Sequence, residues 1–136
     1  MQPVPTTPNS SGLLVPLTSD SYPTLPMDPI TAFQTLDLRV GRVLSAELNP
    51  KARKPSYVLR VDFGPELGTK TSSAQFTVHY RPEELIGRLV VGAVNLGARN
   101  IAGVMSEVLI LGLPDPEGAV VLLQPEREVP LGGRVY

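Results

Sequence analysis

Tyr57-Val58-Leu59-Arg60-Val61-Asp62-Phe63 alternates without a break: Tyr57, Leu59, Val61 and Phe63 are apolar, while Arg60 and Asp62 between them are charged. A period of two sends successive side chains to opposite faces of an extended chain, so the run predicts a half-buried β-strand. Upstream, Leu36 to Leu48 predicts another strand. Leu38, Val40 and Arg42 point one way and Asp37, Arg39 and Gly41 the other, with a bulge expected at Gly41 before Val43, Leu44 and Ala46. Asn49-Pro50 ends it, and Lys51 to Pro55 forms a loop.

Downstream, Gly64 to Lys70 is a turn region and Thr71 to Val78 a third strand. Ala74, Phe76 and Val78 are assigned to one of its faces and Ser73, Gln75 and Thr77 to the other. Pro82-Glu83-Glu84-Leu85-Ile86-Gly87 predicts a single short helix, with Pro in its first turn, acids at the positive end of the dipole and Gly beyond its end. Leu89 to Val94 is the fourth strand, Asn95 to Gly103 a loop, Glu107 to Leu113 the fifth strand and Pro114 to Gly118 a turn. Five core strands with one short helix between the third and fourth is the order of an OB fold, a five-stranded Greek-key barrel. The expected class is therefore all-β. Pro29 to Leu36 adds a short N-terminal helix opened by Asp28, and Val120 to Leu123 and Arg134 to Tyr136 add C-terminal extension strands.

Composition agrees with many short strands. The 136 residues include 12 Gly, 15 Pro and 42% hydrophobic residues, enough for one domain. Residues 1–27 are rich in Pro, Ser and Thr and carry one charge, Asp20, so they predict a disordered tail ahead of a domain at 28–136. No stretch approaches the roughly 20 apolar residues of a membrane-spanning helix, and the N-terminus lacks a signal-peptide pattern. The expectation is a cytoplasmic protein with no membrane insertion.

Enzymatic constellations are missing. The chain has no Cys and one His, His79, which excludes disulfides, thiolate sites and Cys nucleophiles and leaves a transition-metal site without ligands. Ser72, Ser73 and Ser106 lack a nucleophile-elbow context, and no Walker or GxGxxG spacing occurs. No catalysis, metal or cofactor is expected.

Charge is more informative in its distribution than in its sum of −1. Arg39, Arg42, Lys51, Arg53, Lys54 and Arg60 cluster in the first half, whereas Glu107, Asp115, Glu117, Glu126 and Glu128 lie in the second. An OB barrel conventionally binds along its second and third strands and their flanking loops. That rule nominates Lys51, Arg53, Lys54, Lys70, Ser72, Ser73, Gln75, Asn95, Arg99, Met105, Ser106 and Glu107. The cations suit phosphate or carboxylate groups, the amides donate and accept, and Met105 supplies adaptable apolar surface.

Leu36-Asp37-Leu38-Arg39-Val40-Gly41-Arg42-Val43 followed by Asn49-Pro50-Lys51-Ala52-Arg53-Lys54-Pro55, with Asn95-Leu96 and Ser106-Glu107 later, resembles the tRNA-binding domain family of OB folds. The tRNA-binding members usually carry Ser-Gly on the third strand and Gly-Met after the Ser-Glu pair. Here Lys70-Thr71-Ser72-Ser73-Ala74-Gln75 and Ser106-Glu107-Val108-Leu109 stand instead, which resembles the family's bacterial secretion-chaperone branch. That resemblance implies a homodimer binding unfolded polypeptide or preprotein, linked to the export machinery, with tRNA as the alternative partner. Ile30, Phe33 and Val120 to Leu123 are the apolar residues expected at the dimer face. Arg81 stands where the pattern has a helix-capping Thr, a change expected to weaken that cap by about 1 kcal/mol.

Overall fold

The computed structural model describes residues 27–136. The expected disordered tail therefore lies, Met27 apart, outside the described residues. The chain divides into two units, residues 1–35 and Leu36–Tyr136. Of the first, the described part is α1 (Pro29–Thr35), a seven-residue helix that buries none of its residues. Asp28 caps it as the sequence predicts, its Oδ1 accepting the Thr31 amide at 2.8 Å.

The second unit is a nearly closed antiparallel barrel. Its sheet runs in the order β3 (Thr69–Ala74), β2 (Tyr57–Asp62), β1 (Leu38–Leu48), β4 (Leu89–Ala93), β7 (Leu109–Ile110). Two short helices interrupt the strands: α2 (Gly64–Leu67) between β2 and β3, and α3 (Pro82–Leu85) between β3 and β4. Two hairpins complete it, β5 (Arg99–Ile101) with β6 (Val104–Ser106) and β8 (Gly112–Pro114) with β9 (Val120–Leu122). Among the described residues no helix is long and apolar enough to cross a membrane.

The alternation of β2 is realised in full: Tyr57, Leu59, Val61 and Phe63 are all buried in the core, Phe63 at 0% exposure. Phe63 fits because two glycines stand in front of it. A Cβ on Gly41 would lie 2.8 Å from the Phe63 ring and 2.6 Å from Val61 Cγ1, and one on Gly92 would lie 3.2 Å from Phe63 Cζ. Gly41 therefore marks a close approach. The bulge sits three residues further on, where the β1–β2 register shifts between Val43 and Ser45. Leu44 is extruded to solvent there, and Val43 and Ala46 both stay buried although three residues apart.

Other boundaries move as well. The third strand begins at Thr69 and ends at Ala74, so Val78 falls in a turn and is 73% exposed instead of continuing the inner face. A third of the expected 95–103 loop is strand: Ala102 and Gly103, both at positive φ, make a two-residue turn between β5 and β6. The predicted fifth strand changes partners at Leu111. Its amide donates to the Val91 carbonyl, and its carbonyl accepts from Leu123, handing the chain from β4 to the β8–β9 hairpin. In that hairpin Leu122 is buried, with Val120 and Leu123 half-buried and Val121 exposed, which removes Leu122 from the expected dimer face.

Arg81 stands at the N-cap of α3 and makes no side-chain cap hydrogen bond there. Glu84 Oε1 accepts the Arg81 amide at 2.9 Å while Oε2 meets the Arg81 guanidinium at 3.3 Å, so the glutamate caps from inside the first turn. The Arg81 amide beside it, foremost, holds the Glu84 carboxyl below its usual value. The C-terminal segment lies along the first half of β1, with Gly132 donating to Val40, Val40 to Gly133 and Val135 to Leu38. The acidic second half thus meets the basic first half directly: Arg42 pairs with Glu128 at 2.6 Å.

Candidate binding face

Asn49 organises the loop between β1 and β2. It is 7% exposed, its amide donates to Ser56 and its Oδ1 accepts the Lys51 amide at 3.0 Å. Its Nδ2 donates to the Ala102 carbonyl at 3.3 Å, tying the loop to the turn of the β5–β6 hairpin. Lys51 lies across that turn, since a Cβ on Gly103 would come 3.3 Å from Lys51 Cδ. Lys51, Arg53 and Lys54 are exposed, and among the described residues none forms a salt bridge. Between loop, hairpin tip and the outer face of β2 opens a cleft of about 310 Å³ that also holds Glu47 and Arg60.

A second recess also borders the hairpin. Ser73, Leu96, Arg99, Ile101, Val108 and Leu109 line a groove of about 390 Å³. Paired residues of an antiparallel ladder share a face. Arg99↔Ser106 and Ile101↔Val104 put Arg99 and Ile101 on one side of the hairpin, and Asn100↔Met105 puts Met105 on the other. Met105, though 52% exposed, is therefore kept apart from the groove's apolar wall.

The structure thus gathers some of the nominated residues and separates others. Lys51, Arg53 and Lys54 share the loop; Arg99, Ser73 and Ser106 share the groove. Ser72 is 1% exposed and faces inward, its hydroxyl donating to the Val108 carbonyl at 3.0 Å. Lys70, paired with Val61, shares that inner face and is half-buried. Gln75 lines a different cleft with Phe76, Leu113 and Val120. Asn95 Oδ1 accepts the Asp37 amide at 2.9 Å and so opens β1. Ser106 and Glu107 close the barrel on β3, Ser106 Oγ accepting the Ser73 amide at 3.0 Å and Glu107 Oε1 the Thr71 amide at 2.9 Å. Ile101, Leu109 and Arg60 were missed. Arg60 was already legible as an outward residue of β2, whereas Ile101 lay inside a presumed loop.

Residues 38–134 match the tRNA binding domain family. The chain belongs to that family. Within it, the chain is 41% identical over 103 residues to the methionine–tRNA ligase of Pyrococcus abyssi, covering 76% of this chain, and 39% identical to that of Bacteroides fragilis over the same share. It spans 14–15% of the length of those ligases. Among solved structures it is similar to the chaperone CsaA of Bacillus anthracis, with 50% identity, a TM-score of 0.74, and coverage of 81% of this chain and 99% of that one. CsaA of Picrophilus torridus gives 37% identity, a TM-score of 0.75 and coverage of 81% and 100%. The likeness to the CsaA structures agrees with the expected all-β class. Among the described residues no three His, Cys, Asp or Glu side chains gather in a way that could hold a metal ion.

Proposed function

We propose that this member of the tRNA-binding-domain family is a non-catalytic chaperone module that holds unfolded polypeptide or preprotein against its barrel wall. The observation that carries this reading is the apolar groove beside β5 together with an exposed loop whose Lys51, Arg53 and Lys54 form no salt bridge among the described residues. An unfolded chain exposes both apolar side chains and carboxylates, and the two recesses offer a complement to each. The 50% identity to the Bacillus anthracis CsaA chaperone, across 99% of that chain, supports it. On this reading the protein works in the cytoplasm beside the export machinery. Ile30, Phe33 and Val121, all exposed, then contribute to a homodimer that doubles the surface offered to one client. Light scattering at micromolar concentration checks the dimer, and a monomeric mass removes it.

The deciding experiment is suppression of aggregation of a chemically unfolded client, with and without the substitutions Arg53→Glu and Lys54→Glu. Holding of the client by the parent protein and a clear loss in the double variant are expected. A protein that binds no unfolded client ends this reading. The alternative is tRNA binding, favoured by the family match and the same basic loop. Phosphate contacts release counterions, so tRNA affinity would fall steeply as salt rises. Competition between unfolded polypeptide and tRNA at two salt concentrations separates the two.

A further inference from the structure

The β5–β6 hairpin leaves one strand edge unused. β5 pairs with β6 and, among the described residues, with no other strand. In a hairpin with a two-residue turn, the residues flanking the turn exchange both backbone hydrogen bonds and the next pair exchanges none. Ile101 and Val104 flank the turn here, so the N–H and C=O of Asn100 point to the outer edge. The Asn100 side chain is engaged elsewhere, its Oδ1 accepting the Gly103 amide at 3.1 Å and holding the turn. Arg99 and Ile101, on either side of Asn100, both line the 390 Å³ groove. Arg99 is the groove's one charged lining residue among those described, and it forms no salt bridge with any of them.

We propose that an extended polypeptide segment adds to this edge as a strand antiparallel to β5, and that the site selects an apolar residue followed two positions later by an acidic one. The inference rests on the polypeptide-binding reading given above. The middle residue of the segment exchanges two backbone hydrogen bonds with Asn100, and its side chain points away from the groove. Its neighbours then both face the groove, because side chains alternate along an extended chain. The first lies opposite Ile101 and enters the apolar wall of Leu96 and Leu109. The second lies opposite Arg99, which can receive a carboxylate in a charge-assisted pair. An antiparallel strand passes Ile101 before Arg99, and this fixes the order of the two. Backbone bonding makes the site tolerant of what lies between, as a holder of varied clients requires.

The probe is a fluorescein-labelled heptapeptide, Thr-Thr-Leu-Thr-Glu-Thr-Thr, titrated by anisotropy with the full chain. Binding is expected. N-methylation of the central Thr should weaken it by about fivefold or more, the worth of a lost hydrogen bond, whereas N-methylation of the Glu, whose amide faces away from β5, should leave it nearly unchanged. Arg99→Glu should reduce binding of this peptide about tenfold and raise binding of its Leu-Thr-Lys counterpart, a gain that a misfolded variant could not give. Equal effects of methylation at both positions, or no change of preference on charge reversal, overturn the inference. An unfolded client that binds the parent protein while the peptide does not overturns strand addition and leaves the chaperone reading standing. A protein that binds neither overturns both.

Discussion

Thr71 and Glu107 meet twice: the Thr71 amide donates to the Glu107 carboxylate at 2.9 Å, and the Glu107 amide donates to the Thr71 carbonyl at 2.7 Å. This reciprocal pair joins β3 to the chain just ahead of β7, the seam that ends the sheet order β3-β2-β1-β4-β7. A side chain that the sequence places among candidate ligand contacts here supplies a rung of the barrel. Glu107→Ala should therefore lower the free energy of unfolding by about 1 kcal/mol, and Glu107→Gln by less, since the amide oxygen still accepts. Urea unfolding with an unchanged slope checks this, and a stability equal to that of the parent protein would show the pair to be dispensable.

Gly41 gives a sharper test of packing. Alanine there would push its Cβ to 2.6 Å from Val61 Cγ1 and 2.8 Å from Phe63, both fully buried in the core. Overpacking of this kind costs about 1–3 kcal/mol. At Gly68 a Cβ meets nothing within 4 Å, but φ is +74° with ψ −164°, a region essentially reserved for Gly, so Gly68→Ala should cost about 1–3 kcal/mol through backbone strain alone. Thermal denaturation of the two variants should separate them, with repacking of Phe63 visible by NMR in Gly41→Ala and absent in Gly68→Ala.

Acid should loosen the β8–β9 turn. Asp115 Oδ2 lies 2.7 Å from His79 Nε2, and Oδ1 accepts the Glu117 and Ala119 amides at 2.8 and 2.9 Å. His79 foremost, then the two amides, holds the Asp115 carboxyl below its ordinary value of 3.8. A native value below the unfolded one means that this stabilisation is complete above the ordinary range. It is lost as the pH falls through the depressed native value. Melting temperatures from about pH 5 downward should decline, and Asp115→Asn should make that decline shallower. Identical acid profiles for parent and variant would refute the assignment.

Tyr80 ties the same hairpin to the barrel. Its hydroxyl accepts the Leu122 amide at 3.0 Å, its carbonyl accepts the Tyr57 hydroxyl at 2.7 Å, and Arg88 lies over its ring, 5.1 Å from the centroid. Tyr80→Phe keeps the ring and leaves the Leu122 amide without that acceptor, at a cost of about 1–3 kcal/mol. Hydrogen exchange at Leu122 should accelerate in the variant more than at Val61 in the core.

Local alternation made β2 readable, because burying Tyr57, Leu59, Val61 and Phe63 on one face needs no knowledge of the partner strands. Asp28 and the acids of α3 were readable for the same reason: a cap or a dipole acts within one turn of its own chain. The order of strands around one short helix then sufficed for the barrel class. Hairpin β5–β6 was not readable, since its turn uses Ala102 at positive φ, a conformation that Ala seldom adopts and no local pattern announces. The place of the bulge, the split at Leu111 and the separation of Met105 from Arg99 depend on which strand lies alongside. So does the engagement of Ser72, Ser106 and Glu107 within the barrel. Sequence alone determined which residue types could recognise a partner; only the closing of β7 and β6 on β3 decided which of them still face outward, because a backbone amide at a barrel seam takes whichever acceptor the fold brings to it.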